Sequence, residues 1–145
     1  MIDTIIFSKN RPIQLDLCLQ SVKQNFRKAM PHVLWRADPE YEGAYAAILE
    51  EKNIKHTKET DLLSNIIDII DINNDSEYIC FLTDDNIVFD NVFLGDGFYE
   101  LAEHDLFCAF SLRLGLNVNS RDVIKFGVDE NVKTHDGPEA YMQLD

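Results

Sequence analysis

The sequence predicts an α/β fold, a three-layer sandwich with a mostly parallel central sheet. Short runs of β-branched and aromatic residues alternate with longer stretches whose apolar residues recur at helical spacing, a pattern typical of βα units. One run, residues 78–82, has five consecutive apolar residues. Such a run is typical of a strand buried on both faces in the middle of a parallel sheet.

The composition fits one globular domain. The chain has 145 residues, of which 46% are hydrophobic and 10% aromatic, enough to bury a core. Its 26 acidic and 13 basic residues give a net charge of -13, which disfavours nucleic acid and anionic membranes as partners. An anionic ligand would therefore need a local exception, supplied by a metal ion or a few arginines.

Cysteine use and hydropathy predict a cytoplasmic, reducing location. Cys18, Cys80 and Cys108 lie far apart inside apolar segments, so they are expected to be buried, reduced thiols. The first residues lack the basic region of a secretory signal. Asp68 and Asp71 interrupt the longest apolar candidate, so no transmembrane segment is expected.

The first βα unit is the most clearly marked. A strand is predicted over Thr4–Ser8, and Pro12 fits the first position of the helix that follows. The turn between them carries Asn10 and Arg11. The apolar face of this helix has spacing i, i+3, i+4, i+7 and i+11 and consists of Leu15, Cys18, Leu19, Val22 and Phe26.

Two further units follow with weaker signals. A strand is predicted over His32–Arg36, a helix over Tyr41–Lys52, and a short or edge strand over Ile54–Thr57. Thr60 or Asp61 is expected to cap a third helix. The buried face of that helix is predicted to consist of Leu62, Leu63, Ile66, Ile67 and Ile70. Asp68 and Asp71 are predicted to face water.

After the apolar run of residues 78–82, the pattern weakens towards the end of the chain. The last convincing strand is Asp105–Leu112, and from about Val118 the residues are polar and mixed. A ligand-binding α/β domain over residues 1–117 is therefore predicted, with residues 118–145 as a C-terminal extension or an incomplete acceptor portion of the same domain.

Several common nucleotide and hydrolase motifs are absent. The sequence has neither G-x-G-x-x-G nor G-x-x-x-x-G-K-[ST], which disfavours dinucleotide-binding and P-loop proteins. It also lacks G-x-S-x-G, so a serine hydrolase has little support.

Asp84, Asp85 and Asn86 directly follow the apolar run, where open α/β sheets bind their ligands. Mg²⁺ and Mn²⁺ prefer carboxylate, amide and phosphate oxygens, and usually take one or two carboxylates from the protein. These three residues are therefore predicted to hold a divalent metal ion against a diphosphate. One alternative stays open, because acidic residues after a strand often only hydrogen-bond the local backbone of a turn.

Three blocks of the chain resemble successive blocks of nucleotide-sugar glycosyltransferases with the GT-A fold, of the family 2 type. They are Ile5–Leu15, Phe81–Ile87 and Phe110–Asn117. The resemblance extends over Thr4 to Asn117 and implies the fold of the nucleotide-diphospho-sugar transferases. It also implies metal-dependent transfer of a sugar from a nucleoside-diphosphate sugar to an acceptor glycan or another hydroxyl substrate.

The resemblance implies roles for individual residues at the donor. Ser8, Asn10 and Arg11 would line the nucleoside pocket, and Arg11 can form charge-assisted contacts there. Asp84 would face the ribose or the sugar. Arg113 follows the last strand and would approach the donor sugar or phosphate, although a surface ion pair explains it equally well.

The metal motif departs from the family pattern. The family carries D-x-D, whereas this chain reads D-D-N, so the choice of direct ligand among Asp84, Asp85 and Asn86 stays open. No catalytic base is predicted, since the family has its base and acceptor site in the second half of the domain. The candidates there are better explained as solvated surface residues: Asp129, His135, Asp136 and Glu139.

Full domains of this family run well past 145 residues. The chain would then be a minimal donor-binding version, a truncated domain, or one that completes its acceptor site with a second copy or another partner chain. A non-catalytic domain that binds nucleotide sugars is the main alternative function. A receiver-type signalling module fits less well, because its acidic pair follows the first strand, which here ends in Ser8–Arg11.

Overall fold

The computed structural model of the chain describes residues 1–72, 76 and 78–92. They belong to the first of two units into which the chain divides, Met1–Val92. Strands and helices alternate in this unit, as the sequence predicts. In chain order the elements are β1 (Ile2–Lys9), α1 (Pro12–Asn25), β2 (Ala29–Arg36), α2 (Pro39–Glu51), β3 (Lys55–Lys58), α3 (Leu62–Ile72) and β4 (Ile79–Thr83).

The four strands form one all-parallel sheet in the order β3-β2-β1-β4. β1 lies between β2 and β4, and the five residues from Ile2 to Ile6 are all buried. β3 lies at one end of the sheet, as the weaker pattern of residues 54–57 predicts. A parallel sheet with flanking helices confirms the coarse α/β prediction.

Helices cover both faces of the sheet. Alternate residues of a strand point to opposite faces. Ile5 of β1 packs with Leu34 of β2 and Ile69 of α3 in a buried cluster. Ser8, on the other face, contacts Tyr45 of α2. Because α1 contacts α2, these two helices share one face while α3 covers the other.

The prediction that residues 78–82 are buried on both faces is wrong. Leu82 is the buried residue of β4, whereas Phe81 is 55% exposed. Among the described strands, β4 pairs with β1 alone, and β1 takes the central position instead. Polar Thr4 makes β1 look less apolar, but its hydroxyl donates to the Ile2 carbonyl at 3.1 Å, so it is buried without losing its hydrogen bond. The predicted strand Asp105–Leu112 lies outside the described residues.

The first helix follows its prediction closely. Pro12 occupies the first turn, where its missing N–H costs nothing. The whole predicted apolar face is buried, comprising Leu15, Cys18, Leu19, Val22 and Phe26, the last just beyond the end of the helix.

The start of α3 also follows its prediction. Asp61 Oδ1 accepts a hydrogen bond from the Ser64 N–H at 2.9 Å, which makes Asp61 the N-cap. Asn65 Oδ1 returns to the start of the helix and accepts from the N–H groups of Thr60 at 2.8 Å and Asp61 at 3.2 Å. This reciprocal arrangement pairs backbone donors that would otherwise be left without partners.

The buried face of α3 differs from the prediction. Asn65 and Ile69 are its buried residues, and the predicted Ile66 and Ile70 are partly buried against the cluster of Ile5, Leu34 and Ile69. The other three predicted residues are 49%, 68% and 49% exposed, namely Leu62, Leu63 and Ile67. The exposed positions of Asp68 and Asp71 are as predicted.

Two of the three cysteines lie in the described residues. Cys18 is buried and Cys80 half-buried, and both are free. Burial raises the pKa of each thiol to about 11, so both are protonated at neutral pH. None of the helices within the described ranges is both long and apolar enough to cross a membrane.

Acidification should destabilise the protein through His32. This side chain is 6% exposed, its Nε2 lies 2.9 Å from Thr57 Oγ1, and its Nδ1 has no partner. The pKa of His32 is lowered from 6.5, mainly because the side chain is buried and next because of the charges of Lys55 and His56. The charge of Asp3 acts in the opposite direction. As the pH falls, His32 is therefore protonated at a higher pH in the unfolded chain than in the folded protein. The stability that neutral His32 provides is complete above pH 6.5 and is lost as the pH falls towards the lowered pKa of the folded state.

Urea unfolding at pH 7.5 and 5.5 checks this expectation. Replacing His32 with glutamine, which cannot be protonated, should reduce the difference between the two midpoints. The change His56→Gln removes one of the charges that lower the pKa of His32, so it should reduce the difference by less than His32→Gln does. An equal pH dependence in wild type and His32→Gln would show that His32 does not cause it.

Candidate functional site

The carboxyl ends of β1 and β4 meet at the point where the strand order reverses. From β1 the chain continues to β2 on one side, and it returns from β3 to place β4 on the other side. Open α/β sheets bind ligands in the crevice at such a topological switch point. Ser8–Arg11 end β1 and lead into α1, while Thr83–Asn86 end β4, so two predicted segments lie together there.

Asp84 is the centre of this site. Its N–H donates to the Phe7 carbonyl at 3.0 Å, which continues the ladder between β4 and β1 and holds the residue beside the end of β1. The residue is buried, and its Oδ2 accepts a hydrogen bond from Ser8 Oγ at 2.8 Å. A longer contact of 3.4 Å joins the same oxygen to the Lys9 N–H. Ser8 and Asp84, both predicted site residues, are therefore in direct contact.

Arg11 lies between the two carboxylates. Its Nη1 is 3.6 Å from Asp84 Oδ1 and 3.7 Å from Asp85 Oδ2. The Arg11 and Asp85 side chains are 54% and 57% exposed, whereas that of Asp84 is 5% exposed. Both distances exceed the 2.7–2.9 Å range typical of charge-assisted hydrogen bonds, so the contacts are mainly electrostatic. One guanidinium thus faces two adjacent negative charges.

Tyr45 supports the site from α2, a role that the sequence pattern does not reveal. Its Oη lies 2.6 Å from Ser8 Oγ and accepts from the Arg11 N–H at 3.0 Å. Ser8 donates its own proton to Asp84, so Tyr45 donates to Ser8. The ring is fully buried and stacks on Trp35 with centroids 4.9 Å apart. A directed chain of hydrogen bonds therefore runs from Tyr45 through Ser8 to Asp84.

Asn10 is placed differently from Ser8 and Arg11. Its φ of 57° is in the left-handed region, which asparagine tolerates better than most residues. Its Nδ2 donates to Asp38 Oδ2 at 2.7 Å, and its Oδ1 accepts from the Asp38 N–H at 2.8 Å. Asn10 thus ties the turn after β1 to the turn after β2. The structure brings Asp38, which the sequence does not mark, to this edge of the sheet.

The turn after β4 uses part of the acidic cluster for local bonding. Asn86 Oδ1 accepts from the Thr83 N–H at 2.9 Å, and the Asn86 N–H donates to the Thr83 carbonyl at 2.9 Å. Thr83 Oγ1 donates to Asp85 Oδ1. These bonds match the alternative of a simple turn for Asn86 and in part for Asp85. They do not explain Asp84, whose partner Ser8 is 76 residues away.

The donor set suits a divalent cation in part. Asp84 Oδ1 and Asp85 Oδ2 both face the Arg11 guanidinium, whereas the amide oxygen of Asn86 is held by the backbone of Thr83. Across residues 1–72, 76 and 78–92, no three His, Cys, Asp or Glu side chains are grouped so that they could hold a metal ion by themselves. Two carboxylates still fit Mg²⁺ or Mn²⁺, provided that phosphate and water supply the other ligands.

Cys18 lies beneath the site and is not a nucleophile. Its Sγ is 3.8 Å from the Thr83 carbonyl. Burial raises the pKa of this thiol to about 11, and the negative charges of Asp84 and Asp85 add to the effect. A cysteine attacks as the thiolate, which this environment disfavours.

The remaining predicted residue and the described cavity lie elsewhere. Arg113 is outside the described residues. A depression of about 230 Å³ lies at the amino ends of the strands, away from Asp84, and is lined by Asp3, Met30, Pro31, Asn53, Ile54 and Lys55. The candidate site is therefore defined by its side chains at the strand ends.

Comparisons with family models, with curated proteins and with solved structures each found no match to this chain.

Proposed function

We propose that the chain binds a nucleoside-diphosphate sugar together with Mn²⁺ or Mg²⁺ at the carboxyl ends of β1 and β4, and transfers the sugar to an acceptor hydroxyl. The observation that carries the proposal is the contact of Ser8 and Arg11 with Asp84. These are residues that the three resembling blocks assign to one donor site, and they meet although they are far apart in the chain.

The order of the strands supports a nucleotide ligand. The order β3-β2-β1-β4 matches the first four strands of the doubly wound order 3-2-1-4-5-6, which binds dinucleotides in the crevice where the order reverses, between β1 and β4. A receiver-type module has the order β2-β1-β3, with β1 next to β3. Here β1 lies next to β2 and β4, which argues against the signalling alternative.

The charges of the site support a diphosphate bound through a metal ion. The protein carries a net charge of -13, so a bare diphosphate would be repelled. Asp84 and Asp85 would hold the metal, and Arg11 would add a second positive charge. When bound, the metal acts as a Lewis acid that stabilises the charge developing on the leaving nucleoside diphosphate.

Each residue of the chain would then have its own task. Ser8 and the buried Tyr45 hold the Asp84 carboxylate in its orientation through their directed hydrogen bonds. The exposed Asp85 carboxylate is accessible for a ligand that arrives from solvent. Arg113 is proposed to approach the donor, and the residue that deprotonates the acceptor is not assigned.

Isothermal titration with UDP-, GDP-, TDP- and CDP-sugars, each with and without Mn²⁺, tests donor binding. We expect one of these donors to bind at least about tenfold more tightly with Mn²⁺. The change Asp85→Asn should remove this dependence without unfolding the protein, because the side chain is exposed. Binding that ignores both Mn²⁺ and the Asp85 change would refute the metal-bridged site.

Turnover with a panel of hydroxyl acceptors separates transfer from binding alone. Release of the nucleoside diphosphate together with a glycosylated acceptor is the expected result for an enzyme. Metal-dependent donor binding without any glycosylated product would identify the non-catalytic alternative.

A further inference from the structure

We infer that Arg11 competes with a divalent cation for the acidic pair Asp84 and Asp85, so that the pair binds the cation more tightly when a diphosphate is present. This inference rests on the proposed function for the identity of the ligand. It concerns the order and coupling of binding, which the resemblance does not address.

The geometry places one positive group against both proposed metal ligands. Arg11 Nη1 is nearly equidistant from Asp84 Oδ1 and Asp85 Oδ2, at 3.6 and 3.7 Å. A cation that binds both oxygens must approach the same region. Two positive charges so close together repel, so a bare metal ion can enter only if the guanidinium moves away.

Arg11 is able to move. Its side chain is 54% exposed, and its two ion pairs are longer than direct charge-assisted hydrogen bonds. The pair with Asp85 is exposed at both ends, and such pairs contribute little to stability. The backbone is fixed independently, since the Arg11 N–H donates to the buried Tyr45 Oη and its carbonyl accepts from Leu15. The side chain can therefore leave the carboxylates while the turn stays in place.

A diphosphate changes the balance of charges. Once a metal ion has displaced the guanidinium, Arg11 has lost its anionic partners. This loss costs free energy unless a new anion binds the guanidinium. Phosphate oxygens are suitable partners, because the planar guanidinium binds them through two parallel hydrogen bonds. The metal and the diphosphate should therefore bind with positive coupling, which must act equally in both directions.

Replacing Arg11 with glutamine should change the two affinities in opposite directions. The affinity for Mn²⁺ alone should rise by up to about fivefold, because the competing charge is removed. The factor by which pyrophosphate tightens Mn²⁺ binding should fall by at least about fivefold. Electron paramagnetic resonance of free Mn²⁺ measures both quantities on the full chain, once the Mn²⁺ that pyrophosphate binds in a protein-free sample has been subtracted.

The matched control is Arg36→Gln. Arg36 also ends a strand at this edge, its side chain is 61% exposed, and its carboxylate partner is Glu59 at 3.7 Å. This change alters the net charge by the same amount. If the effect is specific to the position of Arg11, Arg36→Gln should leave both the Mn²⁺ affinity and the coupling at the wild-type values.

Three results would overturn the inference. They are Arg11→Gln binding Mn²⁺ no more tightly than wild type, Arg36→Gln behaving like Arg11→Gln, and wild type binding Mn²⁺ equally well with and without pyrophosphate. The proposed function fails separately. If no nucleotide sugar binds but Arg11→Gln changes Mn²⁺ and pyrophosphate binding as expected, the competition between Arg11 and the metal ion is supported. The nucleotide sugar is then the wrong ligand.

Discussion

Replacing Asp84 with alanine is expected to lower the affinity for the nucleotide donor with Mn²⁺ by about 100-fold, since charge-assisted contacts are worth about 1.5–3 kcal/mol each. The same change should lower the free energy of unfolding by about 1–3 kcal/mol, because it removes a buried acceptor and leaves the Lys9 N–H and the Ser8 hydroxyl with fewer partners. Titration calorimetry and urea unfolding measure the two effects.

Asp85→Ala is the matched control for this change. The Asp85 side chain is 57% exposed, so its removal should change stability by less than about 0.5 kcal/mol. It should still abolish the Mn²⁺ dependence of binding. If Asp84→Ala bound the donor normally, the switch point would not be the ligand site. If Asp85→Ala were as unstable as Asp84→Ala, loss of binding could not be assigned to the lost metal ligand.

Replacing Leu34 with alanine is expected to destabilise the protein by about 2–5 kcal/mol, a large part of the 5–15 kcal/mol typical of a folded protein. Leu34 is 1% exposed and packs between Ile5 of the central strand and Ile69 of α3. Truncation leaves a cavity where the sheet meets its only described helix on that face. The loss of stability is measured from the urea midpoints of wild type and variant, with the same dependence of the unfolding free energy on urea concentration in both proteins.

Ile13→Ala tests whether burial is the cause. Ile13 is 73% exposed on α1, so its truncation should change the free energy of unfolding by less than about 0.5 kcal/mol. Similar losses for the two variants would mean that Leu34 is not in the core, contrary to the packing described above.

Local signals in the sequence predict most of the described elements. The Pro12 start, the spacing from Leu15 to Phe26 and the Asp61 cap each depend on neighbouring residues, so a single sequence contains the information. The placement of Ser8 near Asp84 also follows from the rule that parallel strands end at the same edge.

The errors arise where distant contacts decide the outcome. The five apolar residues 78–82 predict a strand buried on both faces, but burial depends on the neighbours in the sheet, and β1 has the central position. In α3 the apolar residues surround most of the helix, so periodicity does not define one face. Contact with Ile5 and Leu34 of the sheet does, and it buries Ile69 with Ile66 and Ile70 beside it. The hydroxyl of Tyr45 on α2 finds its partners, Ser8 and the Arg11 N–H, only in the folded protein, so the sequence does not reveal its role.

The Ser8–Asp84 hydrogen bond links the first strand to a strand 76 residues later, with every other described element between them in the chain. The contact therefore exists only in a chain in which β4 has paired with β1. A chain that has paired only β1 with β2 has no site. A ligand that binds only the completed site would stabilise the fully folded chain by mass action, by an amount that rises with the ligand concentration.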